Sequence, residues 1–174
     1  MGQYRTKTYI AGDWDGDKDL IDKLYEWNDR DNLDLSFSDA HKEKQARDTS
    51  LNCDIKKSLS DRLDISKTFL LVVGAKTMTL TSGSCKHCGS YDAYHGKCAR
   101  GYSLSMKSYI QFECDKADRD GLNIIVVYNY ARVDKTKCPE VLRNKGDHIN
   151  GRFIGEDGKV YWNYPAIKKA ILKY

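Results

Sequence analysis

The sequence lacks any long apolar run, and it carries little excess charge of either sign. No stretch approaches the roughly 20 apolar residues that a membrane-spanning helix needs. The stretch "MGQYRTKTYIAG" at its start has no apolar segment of signal-peptide length, so we expect a cytoplasmic protein without membrane attachment. The net charge is only +4, with lysines and arginines scattered among acidic residues, which argues against nucleic acid as a partner.

The sequence also lacks a linker and an internal repeat. Its 174 residues, with 40% hydrophobic and 31% charged residues, have the composition of a globular chain rather than a disordered one. We therefore expect one domain over residues 1–174 with a single core.

The hydrophobic pattern predicts alternating strands and helices. Strands are expected at residues 7–12, 33–41, 68–77 and 122–131, with a further short strand near Ile149. Helical spacing predicts helices at residues 19–30, 53–66, 104–121 and 165–174, and a short one at 138–144. This order predicts an α/β fold: a flavodoxin-like three-layer α/β/α sandwich with a central, mostly parallel five-stranded sheet. Ligands of such sheets bind at the carboxyl ends of the strands.

Two common functions of this fold lack the residues they need. A flavin phosphate site requires a turn rich in glycine and hydroxyl groups after the first strand, but Asp13, Asp15 and Asp17 there would repel a phosphate. A phosphoacceptor receiver requires an aspartate at the end of the third strand, where residues 73–76 carry no carboxylate. The acidic turn is equally explained as a solvated turn that favours the start of a helix.

Three stretches resemble one family. They are "TYIAGDWDGDKDLIDKLYEWNDRDNLDLSFSDAH" (8–41), "SKTFLLVVGAKTMT" (66–79) and "SYIQFECDKA" (108–117). They are similar to the bacterial TIR-like family that includes the ThsB-like, signal-producing TIR proteins of Thoeris anti-phage systems. TIR enzymes carry an aromatic residue followed four positions later by a glutamate in the third helix. Tyr109 and Glu113 fit that spacing, although many TIR domains have tryptophan at the position of Tyr109.

The resemblance implies cleavage of the nicotinamide–ribose bond of NAD, which is then a substrate rather than a cofactor. Glu113 is the expected catalytic carboxylate, and Tyr109 is the expected ring beside nicotinamide. Asp13 and Trp14 from the first loop, and Asp39 and His41 from the second, are expected to bind substrate. Ordinary structural roles are the alternative: a solvated Glu113, a core position for Tyr109 and a turn cap for Asp39.

The resemblance also implies partners. The product would be an ADP-ribose-type nucleotide, cyclic if water is kept from the ribosyl cation, and it would act on a separate effector protein. Activation would involve self-association and a phage-derived trigger. The alternative from another functional class is a non-catalytic TIR-like or receiver-like module that binds a protein partner.

A cysteine-rich segment looks inserted at about residues 83–104. Cys85, Cys88, His95 and Cys98 offer four ligands of the types that a structural zinc ion takes. Free thiols and a disulfide are the alternatives, and free thiols are favoured over zinc because the ligand spacing does not fit a zinc knuckle. We expect no metal in the catalytic site, and plain buried or half-buried thiols at Cys53, Cys114 and Cys138.

Overall fold

The computed structural model describes residues 5–30, 35, 37–38 and 51–174, and its centre is a parallel sheet. The elements are β1 (Lys7–Ala11), α1 (Lys18–Asp29), α2 (Asn52–Asp64), β2 (Ser66–Val73), β3 (Tyr91–Asp92), β4 (Lys97–Cys98), α3 (Tyr109–Arg119), β5 (Asn123–Tyr128), β6 (Asp147–Asn150), β7 (Arg152–Ile154), β8 (Val160–Trp162) and α4 (Tyr164–Leu172). In the described ranges, no helix combines the length and the apolar character that crossing a membrane requires.

The central sheet has the strand order β1-β2-β5-β6, and all its strands are parallel. Phe69 in the middle of β2 pairs with Tyr9 on one side and with Ile124 on the other. The predicted α/β class and parallel sheet are therefore confirmed. Over the described residues the sheet has four strands, where the sequence predicts five.

The strand predicted at residues 33–41 lies mainly outside the described residues. Leu35 and Phe37 are described, and both are buried in the core beside α1, as the alternating pattern predicts. The backbone N–H of Thr8 donates to the carbonyl of Ser38 at 2.7 Å. Ser38 therefore lies beside β1, at the edge where a fifth strand is expected.

Two apolar cores cover the two faces of the sheet. Alternate side chains of β1 and β2 point to opposite faces, because successive residues of a strand do so. Tyr9, Phe69 and Leu71 pack with α2 and α3, whereas Ile10 and Leu70 pack with α1 and α4. The result is the predicted three-layer α/β/α sandwich.

Several boundaries differ from the prediction. The strand expected to continue to residue 77 ends at Val73, and a turn follows it. The helix expected from residue 104 begins at Tyr109, because Ser108 caps it. The hairpin of β7 and β8 was not predicted: its strands have three residues each, too short for a clear alternation of polar and apolar residues.

Helices α2 and α3 are tied together near both ends. At their carboxyl ends, the buried Lys116 Nζ lies 2.7 Å from Asp64 and 2.6 Å from Asp120. Near their amino ends, the hydroxyl of Tyr109 donates to the Asn52 side-chain oxygen at 2.9 Å. The α2–α3 pair therefore forms one wall of the molecule, with fixed spacing between its helices.

Candidate active site

A cavity of about 520 Å³ opens beyond the carboxyl end of β1, between α2 and α3. Residues 12–15 after β1 form one side of it, and Ile55, Leu59 and Arg62 of α2 form another. Tyr109 and Glu113 of α3 complete the wall. The cavity lies at the end of the sheet where ligands of parallel α/β proteins bind, and its volume suits a small organic molecule.

Glu113 is a buried acid in the wall of this cavity, with 6% of its surface exposed. Its Oε1 accepts a hydrogen bond from the hydroxyl of Tyr9, which lies on β1. Burial raises the pKa of Glu113 from its ordinary 4.5 to about 7, although the bond from Tyr9 and the charge of Arg62 lower it. Glu113 is therefore poised to gain or lose a proton near neutral pH. It is not the solvated helix position of the structural alternative.

The start of α3 fixes where Glu113 points. The Ser108 hydroxyl accepts the backbone N–H of Gln111 at 3.2 Å, and the Gln111 side chain accepts the N–H of Ser108 at 3.0 Å. This capping box satisfies two N–H groups that a helix start would otherwise leave free. Ile110 and Cys114 anchor the buried face of the helix. Glu113, next to Cys114, is carried into the wall of the cavity.

Tyr109 lies one helical turn before Glu113 and lines the same cavity, as the four-residue spacing predicts. Its ring covers Gly83, whose φ of +95° is a conformation that favours glycine. A Cβ on Gly83 would lie 2.5 Å from the Tyr109 ring, which is closer than atoms can approach. The ring is half-buried, and its hydroxyl is held by Asn52, so its position is fixed.

The first loop brings Asp13 and Trp14 to the cavity. Asp13 is buried, and its carboxylate accepts the backbone N–H of Asp15 at 3.2 Å. Trp14 is 43% exposed and lies beside Tyr25, with 6.2 Å between ring centroids. Four predicted site residues, Asp13, Trp14, Tyr109 and Glu113, therefore share one cavity.

The second predicted loop cannot be placed in this way. Asp39 and His41 lie outside the described residues. Their assignment to the substrate site stays a prediction.

Sequence reasoning missed two residues of the site, Tyr9 and Arg62. Tyr9 is a fully buried tyrosine in the first strand, and a buried hydroxyl normally has a partner. Arg62 follows Leu59 by three positions and Ile55 by seven, so it belongs to the apolar face of α2. The charge of Arg62 on an otherwise apolar helix face was the sequence signal that could have identified it.

The cysteine segment does not gather the four candidate zinc ligands. His95 Nδ1 lies 2.6 Å from Asp92 Oδ2, and its side chain is 57% exposed. Cys85, Cys88 and Cys98 instead line a small separate cavity together with Cys53 of α2. All six cysteines are free, and the described part of the chain has no group of three or more side chains placed to hold a metal ion.

A parallel sheet between two helix layers, with a buried acid at the carboxyl edge of its strands, defines a flavodoxin-like α/β domain. The family described as "Thoeris protein ThsB, TIR-like domain" matches residues 9–82. This stretch of the chain is thus similar to the TIR-like domain of Thoeris ThsB proteins. The match includes Asp13, Trp14 and Arg62 but ends before Glu113. No curated protein matches the chain.

Proposed function

We propose that the protein is an NAD-consuming enzyme of anti-phage defence. It cleaves the bond between nicotinamide and ribose, and it makes a cyclic ADP-ribose-type nucleotide that signals to a separate effector. One observation carries this proposal: the carboxyl group of Glu113, with a pKa near 7, in the wall of a cavity at the carboxyl edge of the sheet. The family supports the defence context.

The chemistry needs one well-placed negative charge. Nicotinamide leaves as a neutral molecule from a cationic pyridinium, so its departure needs little acid catalysis. Positive charge then develops on the ribose, and a fixed carboxylate beside that sugar stabilises it. Ionised Glu113 supplies this charge from a buried position, where electrostatic interactions are strong.

The other residues of the cavity bind and orient the substrate. The fixed ring of Tyr109 stacks on nicotinamide and keeps water from one side of the sugar. Trp14 at the mouth offers an exposed ring for a second stacking contact, and Asp13 accepts a hydrogen bond from a ribose hydroxyl. Asp39 and His41 from the second loop contribute further contacts to the ribose.

The fate of the ribosyl cation decides the product. A hydroxyl or ring nitrogen of the same molecule closes a cyclic product, provided that water does not reach the cation first. The reaction uses no metal ion or other cofactor. Self-association and a phage component switch the enzyme on, and the reaction takes place in the cytoplasm.

Nicotinamide release is the direct test. The wild type, Glu113→Gln and the exposed-site control Glu140→Gln are each incubated with NAD, both dilute and clustered on a scaffold, and free nicotinamide is measured by chromatography. We expect release by the wild type and the control, and a loss of at least about 100-fold in Glu113→Gln. If none of the three proteins releases nicotinamide under any condition, the alternative of a non-catalytic interaction module is favoured.

A further inference from the structure

Arg62 brings a buried guanidinium group with two unsatisfied nitrogens to the cavity. It lies on α2 with 5% of its surface exposed, and it lines the same cavity as Glu113. Its Nε and Nη2 atoms are buried, and neither has a hydrogen-bond partner among the described residues. Buried charged groups are normally paired, because losing water without a partner is costly.

The other buried cations on this face of the sheet are satisfied. Lys56, also on α2, donates to the carbonyl of Lys107 at 2.8 Å and to the hydroxyl of Ser105 at 3.1 Å. Lys116 on α3 pairs with two carboxylates. Arg62 therefore differs from its neighbours, and an internal structural role does not account for its free nitrogens.

The two free nitrogens belong to one edge of the guanidinium. The N–H groups of Nε and Nη2 point in the same direction, and together they match two oxygens of a phosphate or a carboxylate. Glu113, the acid whose pKa the charge of Arg62 lowers, already accepts a hydrogen bond from Tyr9. An oxyanion of a ligand is the partner that this edge lacks.

We propose that Arg62 is the phosphate-recognition residue of the cavity and that it binds the phosphate attached to the ribose on which Glu113 acts. This inference rests on the proposed NAD cleavage, in which that phosphate is joined to the reacting sugar through its 5′ carbon. The free edge is covered in this structure, so the side chain turns into the cavity when the ligand binds. Arg62 thereby distinguishes a nucleotide from a nucleoside.

The test compares two probes that differ by one phosphate. Nicotinamide riboside and nicotinamide mononucleotide are titrated calorimetrically into the full chain carrying Glu113→Gln, which prevents turnover. We expect the mononucleotide to bind about 10- to 100-fold more tightly, as two charge-assisted hydrogen bonds provide. Adding Arg62→Gln should reduce this ratio to about 1 without changing the affinity for the riboside, because only the phosphate contact is removed.

Two further variants serve as controls for the effect of Arg62→Gln. Arg119→Gln removes an exposed arginine from α3 and should leave the ratio unchanged. Arg62→Lys keeps the charge but loses the pair of parallel N–H donors. Its ratio of mononucleotide to riboside affinity should therefore lie between the ratios with arginine and with glutamine at position 62. In the Glu113→Gln background, Arg62→Gln removes buried N–H groups that have no partner, so the melting temperature should not fall. If it nevertheless fails to fold, Arg62→Lys carries the test alone.

Inorganic pyrophosphate separates this inference from the proposed function. Binding of pyrophosphate that is lost in Arg62→Gln, with no binding of either nicotinamide probe, would support the anion site and contradict NAD cleavage. A phosphate preference that persists in Arg62→Gln would overturn the role of Arg62 and leave NAD cleavage standing. Absence of binding by all three probes would overturn both.

Discussion

Replacing Glu113 by glutamine should change how the stability of the protein depends on pH. The buried carboxyl group holds its proton more tightly in the folded chain than in the unfolded one, because burial outweighs the bond from Tyr9 and the charge of Arg62. Glutamine has the same shape and a carbonyl oxygen that still accepts the Tyr9 hydroxyl, but it does not titrate.

The size and sign of the effect follow from the two pKa values. Below pH 4.5 both states carry the proton, and between 4.5 and about 7 only the folded state keeps it. The free energy of unfolding therefore falls as pH rises through this window and levels off above it. The difference between the two pKa values corresponds to about 3 kcal/mol, most of which is lost between pH 5 and 8.

Urea unfolding at several pH values between 5 and 8 measures this loss. Burial lowers the pKa of His148, which changes stability in the opposite direction over part of the same range. The difference between wild type and Glu113→Gln cancels the histidine, and it isolates the carboxyl group. Glu140→Gln, at an exposed glutamate, is the matched control. We expect the glutamine variant to gain stability relative to wild type by about 2 to 3 kcal/mol from pH 5 to pH 8.

A parallel pH dependence of wild type and Glu113→Gln would refute this reasoning. It would mean that Glu113 titrates near its ordinary value, as a solvated carboxylate does. A buried, proton-holding acid would then be absent from the cavity, and the proposed catalytic role would lose its main support.

Four further predictions concern the surroundings of Glu113 and the cysteines. Tyr9→Phe removes a bond that lowers the pKa of Glu113, so the pH midpoint of nicotinamide release should rise, at a cost of about 1 kcal/mol in urea unfolding. Tyr109→Phe loses only the bond to Asn52 and should keep most activity, whereas Tyr109→Ala should lose both activity and stability. Gly83→Ala forces a positive φ and a clash with the Tyr109 ring, and should cost about 1 to 3 kcal/mol in thermal unfolding. Thiol titration of the denatured protein should count six free thiols, and elemental analysis of the native protein, purified without a chelator, should find well under one zinc per chain.

The sequence predicted the elements with long, regular patterns. The apolar runs of β2 and β5 and the helical spacing of α1 lie where expected, because each pattern is set by burial of its own residues. The hairpin of β7 and β8 was missed, since strands of three residues are too short to show a clear alternation of polar and apolar residues.

The candidate site was predictable only in part. Glu113 and Tyr109 came from a local spacing on one helix. The partnership of Tyr9 with Glu113 joins positions 104 residues apart, and no local pattern encodes it. The two unsatisfied nitrogens of Arg62 likewise depend on which groups the described part of the folded chain places beside them.

The ties between α2 and α3 have a consequence for how a substrate enters. Lys116 joins the two helices at one end and Tyr109 joins them at the other. The slot between them, which is the cavity of the candidate site, therefore keeps a fixed width. Binding then spends little free energy on reshaping these walls. Apart from a turn of the Arg62 side chain, the adjustment that admits a ligand falls to the side of the slot formed by Asp13 and Trp14. Substitutions in this loop are therefore the ones expected to change which ligands the cavity accepts.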